Sequence, residues 1–217
     1  MAHIHLEDGS FTLFWVIVWW AVALILIGSA LYFIRRQPKT DHRRIILAGF
    51  CGAAVFVLSQ VELPIPGGAV HISLTPLVAI LTGPVIGLLI VFITNILSSA
   101  IGHGGWGMIG ANTLVNLSEV LVAYAIWRGL KPFIGNVFVR AVTATLCGLI
   151  LGNFVMMGII ALSGIQGVSQ SMEQVVTGLF FVASVNIAVA VIEALMTGLV
   201  VLYIAKMRPD LLDGEQG

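Results

Sequence analysis

The sequence predicts an all-α polytopic membrane protein, a bundle of about seven helices with the third short or re-entrant. Three observations carry this. First, 59% of the 217 residues are hydrophobic and 9% are charged, where a soluble domain carries roughly 25% charged residues. A chain this apolar has lipid as its main solvent. Second, all ten Lys and Arg fall in three short clusters. Third, apolar runs of spanning length separate those clusters. The formal net charge is zero, so the total says little about partners; no nucleic acid partner is expected. The two cysteines, Cys51 and Cys147, lie in apolar runs and read as small buried helix residues, not as a disulfide framework.

The clusters orient the chain. They are Arg35, Arg36, Lys39, Arg43 and Arg44; then Arg128, Lys131 and Arg140; then Lys206 and Arg208. Short loops rich in Lys and Arg stay cytoplasmic, so all three are placed inside. Residues 11–34 form an apolar run of 24, enough to cross about 30 Å of hydrocarbon at 1.5 Å per residue. It is too long for a cleaved signal and has no basic residue before it. Trp15, Trp19 and Trp20 suit an interfacial aromatic belt near its outer half. It ends on Arg35, so the N-terminus is expected outside. Residues 45–61 return outward. Glu62-Leu63-Pro64-Ile65-Pro66-Gly67-Gly68 then breaks the helix. Residues 73–101 are apolar but interrupted at Thr82-Gly83-Pro84. A glycine-rich loop covers 102–110. Apolar runs at 114–127, 137–162 and 175–205 complete the set and place the C-terminus inside.

Parity constrains the middle. The chain is inside at Arg44 and again at Arg128, with three apolar stretches between. The middle one therefore counts as two passes or none, so Thr82-Gly83-Pro84 is read as the bend of a hairpin or re-entrant pair. Its first part, 74–81, is too short to span alone. Irregular backbone at that depth must be satisfied by other protein groups. The chain reads as one membrane domain over 1–217, with an external N-terminal segment at 1–10 and a cytoplasmic tail at 206–217.

The topology sorts the histidines. His3 and His5 sit at the external N-terminus, His71 in the external Pro/Gly loop and His103 in the external glycine loop; His42 lies alone in a basic inner loop. A lone loop histidine is more often a solvated polar residue than a ligand. Several on one side, in a chain with few other external polar groups, point to metal binding. Methionine before alanine is normally trimmed, so the mature chain would begin at Ala2. The Ala2 amine, the His3 backbone nitrogen and the His3 imidazole then form fused chelate rings, and His71 would complete four nitrogens in a plane. Retained Met1 would also give a planar nitrogen set. Such geometry favours Ni(II) or Cu(II). Glu119 and Glu193 lie inside apolar runs, where ionisable groups are costly; hydrogen bonding between helices is the leading reading for both. Gly49/Ala53 and Gly148/Gly152 have the spacing of close helix contacts, within the chain or with a partner.

At these residues the chain resembles the substrate-binding membrane subunits of energy-coupling-factor transporters for cobalt and nickel, the CbiM/NikM type. The resemblance rests on His5-Leu6-Glu7-Asp8-Gly9, on Pro66-Gly67-Gly68-Ala69-Val70-His71 followed by Gly83-Pro84, on Gly102-His103-Gly104-Gly105 with Ile109-Gly110-Ala111-Asn112, and on Ile192-Glu193-Ala194-Leu195-Met196-Thr197-Gly198 with Arg208-Pro209-Asp210-Leu211-Leu212. It covers nearly the whole chain. It implies a planar site made by the N-terminal amine, the first peptide nitrogen, the adjacent histidine and the loop histidine. Here four residues precede His5 where the family has one. The expected ligands are therefore Ala2 and His3 with His71, and His5 as an additional or substitute ligand. His103 stands where the family usually has Asp, and is expected to add a contact beside the ion. Asn112, by the same resemblance, positions the loop over the metal.

The resemblance further implies a non-enzymatic capture subunit in the cell membrane, with Co(II) or Ni(II) as transported substrate. Its implied partners are a transmembrane coupling subunit and two ATPases, often with a further small membrane protein. The chain has no Gly-x-x-x-x-Gly-Lys-Ser/Thr loop of its own. A proton-coupled secondary transporter using Glu119 and Glu193 as a relay is the alternative. An intramembrane metalloenzyme is disfavoured by the lack of a His-Glu-x-x-His segment.

Overall fold

The computed structural model describes residues 8–36, 42–61, 63–65, 68–165 and 172–212. Among them are six helices: α1 (Leu13–Arg36), α2 (His42–Ser59), α3 (Thr75–Ala100), α4 (Ile109–Gly129), α5 (Val137–Ser163) and α6 (Met172–Met207). Two three-residue strands, β1 (Leu63–Ile65) and β2 (Gly68–Val70), pair antiparallel between α2 and α3. The Pro/Gly loop is thus a small hairpin, which the sequence reading did not anticipate. Large apolar side chains face outward on every side: Ile25, Phe50, Phe154 and Leu199 are each at least 60% exposed. Such a surface is the kind that lipid covers.

Six helices replace the expected count of about seven, and the difference lies at Gly83. There the backbone takes φ 78° and ψ 172°, a conformation open in practice only to glycine. Pro84 follows and cannot donate to the preceding turn. α3 consequently consists of two arms, 75–82 and 84–100. A Cβ on Gly87 would sit 3.6 Å from Val78 Cγ1, whereas nine residues along a straight helix span about 13.5 Å. The arms are folded back on each other. Among the described residues five helices have the length and apolarity to cross a membrane, α3 among them, and the apolar stretch of α2, Ile45–Ser59, is shorter. α3 reaches that length only by adding its two arms. The first arm rises only about 12 Å.

α4 is the central element. Val120 and Ala123 are fully buried, as is Glu119. α5 closes on it at two glycines: a Cβ on Gly148 would lie 2.9 Å from the Glu119 carbonyl oxygen, and one on Gly152 would lie 2.5 Å from Glu119 Oε1. This small-residue pair therefore serves internal packing, while nothing lies within 4 Å of a Cβ at Gly49. α1 runs parallel to α4. The Trp20 indole donates to the Trp106 carbonyl at 3.1 Å, and the Trp19 indole to Ser163 Oγ at 2.9 Å. The aromatic cluster of α1 thus ties three chain segments together at one end of the bundle. At the other end Arg140 lies 3.8 Å over the Trp127 ring and Arg128 donates to the Tyr124 hydroxyl at 3.1 Å. Sixteen residues of helix separate Trp20 from Arg36, so the arginines closing α1 and α4 share that second end.

Candidate metal site

The site begins with four residues that are neither helix nor strand. His71, Ile72, Ser73 and Leu74 run without regular structure between β2 and α3, and all but half-buried Ile72 are buried. Backbone polar groups inside a membrane protein need partners. Glu193 of α6 supplies them. Its carboxylate accepts the Ser73 amide at 3.0 Å, the Leu74 amide at 2.8 Å and the Ser73 hydroxyl at 2.9 Å. Leu74 adopts φ 53°, a left-handed conformation that costs a non-glycine residue about 1–2 kcal/mol. That bend turns the extended segment into the first arm of α3. One residue on, the Thr75 hydroxyl is hydrogen-bonded to Glu119 of α4. Glu119 thus bonds between helices as expected, whereas Glu193 bonds the irregular segment before α3; both acids are fully buried.

The fold-back of α3 has a direct consequence for the histidines. His71 precedes the first arm and His103 follows the second. In a continuous helix the 26 residues of α3 would hold them some 39 Å apart. Instead their ring centroids are 5.7 Å apart, inclined at 65°. Gly102 and Gly104, at φ 83° and 84°, bend the loop at His103, and its amide donates to the Ser98 carbonyl at 2.9 Å. Beside the rings lies a cavity of about 40 Å³, lined also by Ser73, Thr75, Thr94, Asn95 and Asn112. Organic ligands occupy several hundred Å³; this volume suits an ion. Asn95 donates to Thr113 Oγ1 at 3.2 Å and accepts from Asn116 at 3.4 Å, which fixes the polar wall between α3 and α4.

Of the expected site residues, His71, His103 and Asn112 meet around this cavity. Ala2, His3 and His5 lie outside the described residues. The described chain begins close to the loop that carries His103, because Asp8 accepts from the Trp106 amide at 3.0 Å and the Gly107 amide at 2.7 Å. Gly105 permits this contact: a Cβ there would lie 2.6 Å from Asp8 Cγ. From Asp8, three residues reach at most about 11 Å and five about 18 Å, which bounds how far His5 and His3 lie from Asp8. Asp8 had no assigned role in the sequence reading, and neither did Ser73, Thr75 or Asn95. Only Asp8 fell inside a recognised motif, and its bonding partner lies 98 positions away.

The chemistry on offer is imidazole coordination. A metal–nitrogen distance of about 2.0–2.1 Å places the ring centroids of two imidazoles on one ion roughly 4.5–6.3 Å apart, depending on the angle. The His71–His103 spacing falls in that range. No group of three or more His, Cys, Asp or Glu able to hold an ion occurs among the described residues. They supply two imidazoles and a fitted cavity, short of a full coordination set.

Comparison with known proteins now decides the family. Residues 5–211 match the model of the cobalt uptake substrate-specific transmembrane region, CbiM. This chain belongs to that family. Its relatives include the CbiM 1 protein of Methanosphaerula palustris, 29% identical over 96% of this chain and 91% of that protein. The cobalt transport protein CbiM of Salmonella typhimurium is 26% identical over 97% of this chain and 87% of its own length. The fold matches the crystal structure of a truncated transition metal transporter at a TM-score of 0.79 and 18% identity, covering 94% of this chain and 99% of that one. It also matches the S component of a bacterial ECF transporter at a TM-score of 0.51 and 22% identity, over 80% of this chain and 99% of that one. The CbiM-family membership and the apolar helices together make this a multi-pass membrane transport protein.

Proposed function

We propose that this chain is the capture subunit of an energy-coupling-factor transporter, binding Co(II) or Ni(II) on the external side of the cell membrane for import. One observation carries the reading: the α3 hairpin brings His71 and His103 to within 5.7 Å at a cavity with room for an ion. The Ala2 amine, the His3 backbone nitrogen and the His3 imidazole chelate the ion, and His71 completes the set. His5 is an additional or substitute ligand. His103 stands beside the ion, and Asn112 holds the glycine loop in place. A nitrogen-rich planar set leans toward nickel over cobalt, while the family description and the named relatives point to cobalt; both ions are substrates in this reading. The chain hydrolyses no ATP itself. A transmembrane coupling subunit and two ATPases, in the family often with a further small membrane protein, complete the transporter.

The test is the metal content of the purified protein after loading with Co(II) or Ni(II). His71→Ala is expected to abolish stoichiometric loading. Undiminished cobalt and nickel in that variant would overturn the assignment.

A further inference from the structure

Four buried residues form one hydrogen-bonded chain behind the cavity: Glu193, Ser73, Thr75 and Glu119. Their exposures are 0%, 4%, 1% and 0%. The links run from Glu193 Oε1 to Ser73 Oγ at 2.9 Å, from Ser73 Oγ to Thr75 Oγ1 at 3.1 Å, and from Thr75 Oγ1 to Glu119 Oε2. Three links need three hydrogens. Each hydroxyl carries one, so the two hydroxyls supply only two. The third must come from a carboxyl group.

The surroundings of the two carboxyls tell them apart. Glu193 is met by donors: two backbone amides and the Ser73 hydroxyl. A proton on it would face other protons. Among the described residues Glu119 makes one hydrogen bond, through Oε2, and its Oε1 makes none. That oxygen is pressed toward Gly152, where no side chain can serve it. An ionised carboxylate with a bare, dry oxygen is expensive, and two charges joined by two hydroxyls in one dry site are more so. With a proton on Glu119 the chain runs one way. Glu119 donates to Thr75, Thr75 to Ser73, and Ser73 to Glu193, and every link is made.

We propose that Glu119 and Glu193 are positioning residues in opposite protonation states, Glu119 a neutral acid and Glu193 a carboxylate, which together set the segment presenting His71. The positioning half rests on the function proposed above; the proton assignment does not. Ser73 lies two residues from His71, and the left-handed Leu74 is pinned by the same carboxylate. Loss of the grip lets His71 move while the helices stay packed. The two isosteric substitutions therefore differ. Gln at 119 keeps a donor for Thr75 Oγ1. Gln at 193 turns a group that receives three donors into one that is half donor.

The experiment uses the full-length protein in detergent, with Glu119→Gln, Glu193→Gln and Ser73→Ala. The infrared spectrum of the wild type minus Glu119→Gln should contain a carboxylic-acid carbonyl band that shifts on deuteration. Co(II) and Ni(II) titrations should give Glu119→Gln an affinity within about threefold of wild type. Glu193→Gln should bind about 10–100-fold more weakly, the usual cost of losing an outer partner of a ligand, with an altered visible spectrum of bound Co(II). Should Glu193→Gln fail to fold, Ser73→Ala keeps both acids and both amide bonds yet cuts the chain; about three- to tenfold weaker binding is expected on the same grounds. Absence of the acid band overturns the proton assignment. Equal losses in both Gln variants, or unchanged binding in Ser73→Ala, overturn the positioning role. Wild-type protein that binds neither ion overturns the function and the positioning role with it, and leaves the proton to the infrared band alone.

Discussion

At the residue scale, His103 separates two views of the metal site. If the ion is held by the N-terminal chelate and His71 alone, His103 only borders it. Its ring nevertheless stands 5.7 Å from that of His71, within the span of two imidazoles on one ion. Replacing His103 by Ala is expected to leave one bound ion per chain but to weaken Co(II) binding by about 10–100-fold, the range for losing a contact around a metal. Replacing it by Asp should recover more of the affinity than Ala does, because a carboxylate still offers an oxygen to the ion. Competition against a coloured chelator measures both. Wild-type affinity in His103→Ala would remove His103 from the site. The histidines were visible in the sequence because residue type and topology alone place them on one side. Asp8, Ser73 and Thr75 were not. Each is a common polar residue whose role is set by a partner between 44 and 120 positions away, and no local spacing encodes such a pairing.

At the element scale the folded-back α3 governs the site. Counting basic clusters required the middle stretch to cross twice or not at all, and Thr82-Gly83-Pro84 marked the bend in advance. Its depth was not legible. The first arm is short because the chain stays irregular through Leu74, and that is possible only because Glu193 satisfies the Ser73 and Leu74 amides. The β1–β2 hairpin was equally hidden, since three-residue strands between prolines and glycines leave no periodic signal. Gly83 is the point of leverage. At φ 78° and ψ 172° a Cβ strains the backbone by about 1–3 kcal/mol. Gly83→Ala is expected to lower the thermal midpoint of the purified protein. It should also reduce metal loading, because reopening the bend separates His71 from His103. A variant with wild-type stability and full cobalt content would show that the bend does not depend on glycine. Gly152→Ala makes a parallel case, since its Cβ would meet the Glu119 carboxyl; it should destabilise the α4–α5 contact with no need to touch the cavity.

At the scale of the whole molecule, the two ends of the bundle differ in kind. One end carries His71, His103 and the Asp8 anchor; the other carries the arginines that close α1 and α4. Short basic loops stay cytoplasmic, so we propose that the histidine end faces outward and that the ion enters from that side. This orientation is open to a direct measurement. With Cys51 and Cys147 first replaced by Ala, a single cysteine at Gly102 should react with an impermeant thiol reagent on intact cells. One at Lys131 should react only after the membrane is opened. The reverse pattern would invert the bundle and place the metal site on the cytoplasmic face, which is incompatible with capture for import. Orientation in turn bears on how the ion leaves. The cavity is closed toward the basic end by the folded arms of α3 and by α4, whose Val78, Val91 and Val120 are at most 1% exposed. An ion cannot pass that packing without a large rearrangement, and the sequence holds no Gly-x-x-x-x-Gly-Lys-Ser/Thr segment. Cells expressing it alone are therefore expected to bind Co(II) but not accumulate it, and accumulation should appear when the coupling subunit and ATPases are supplied. Accumulation by the lone chain that collapses with the proton gradient would instead make Glu119 and Glu193 a relay and the protein a secondary transporter.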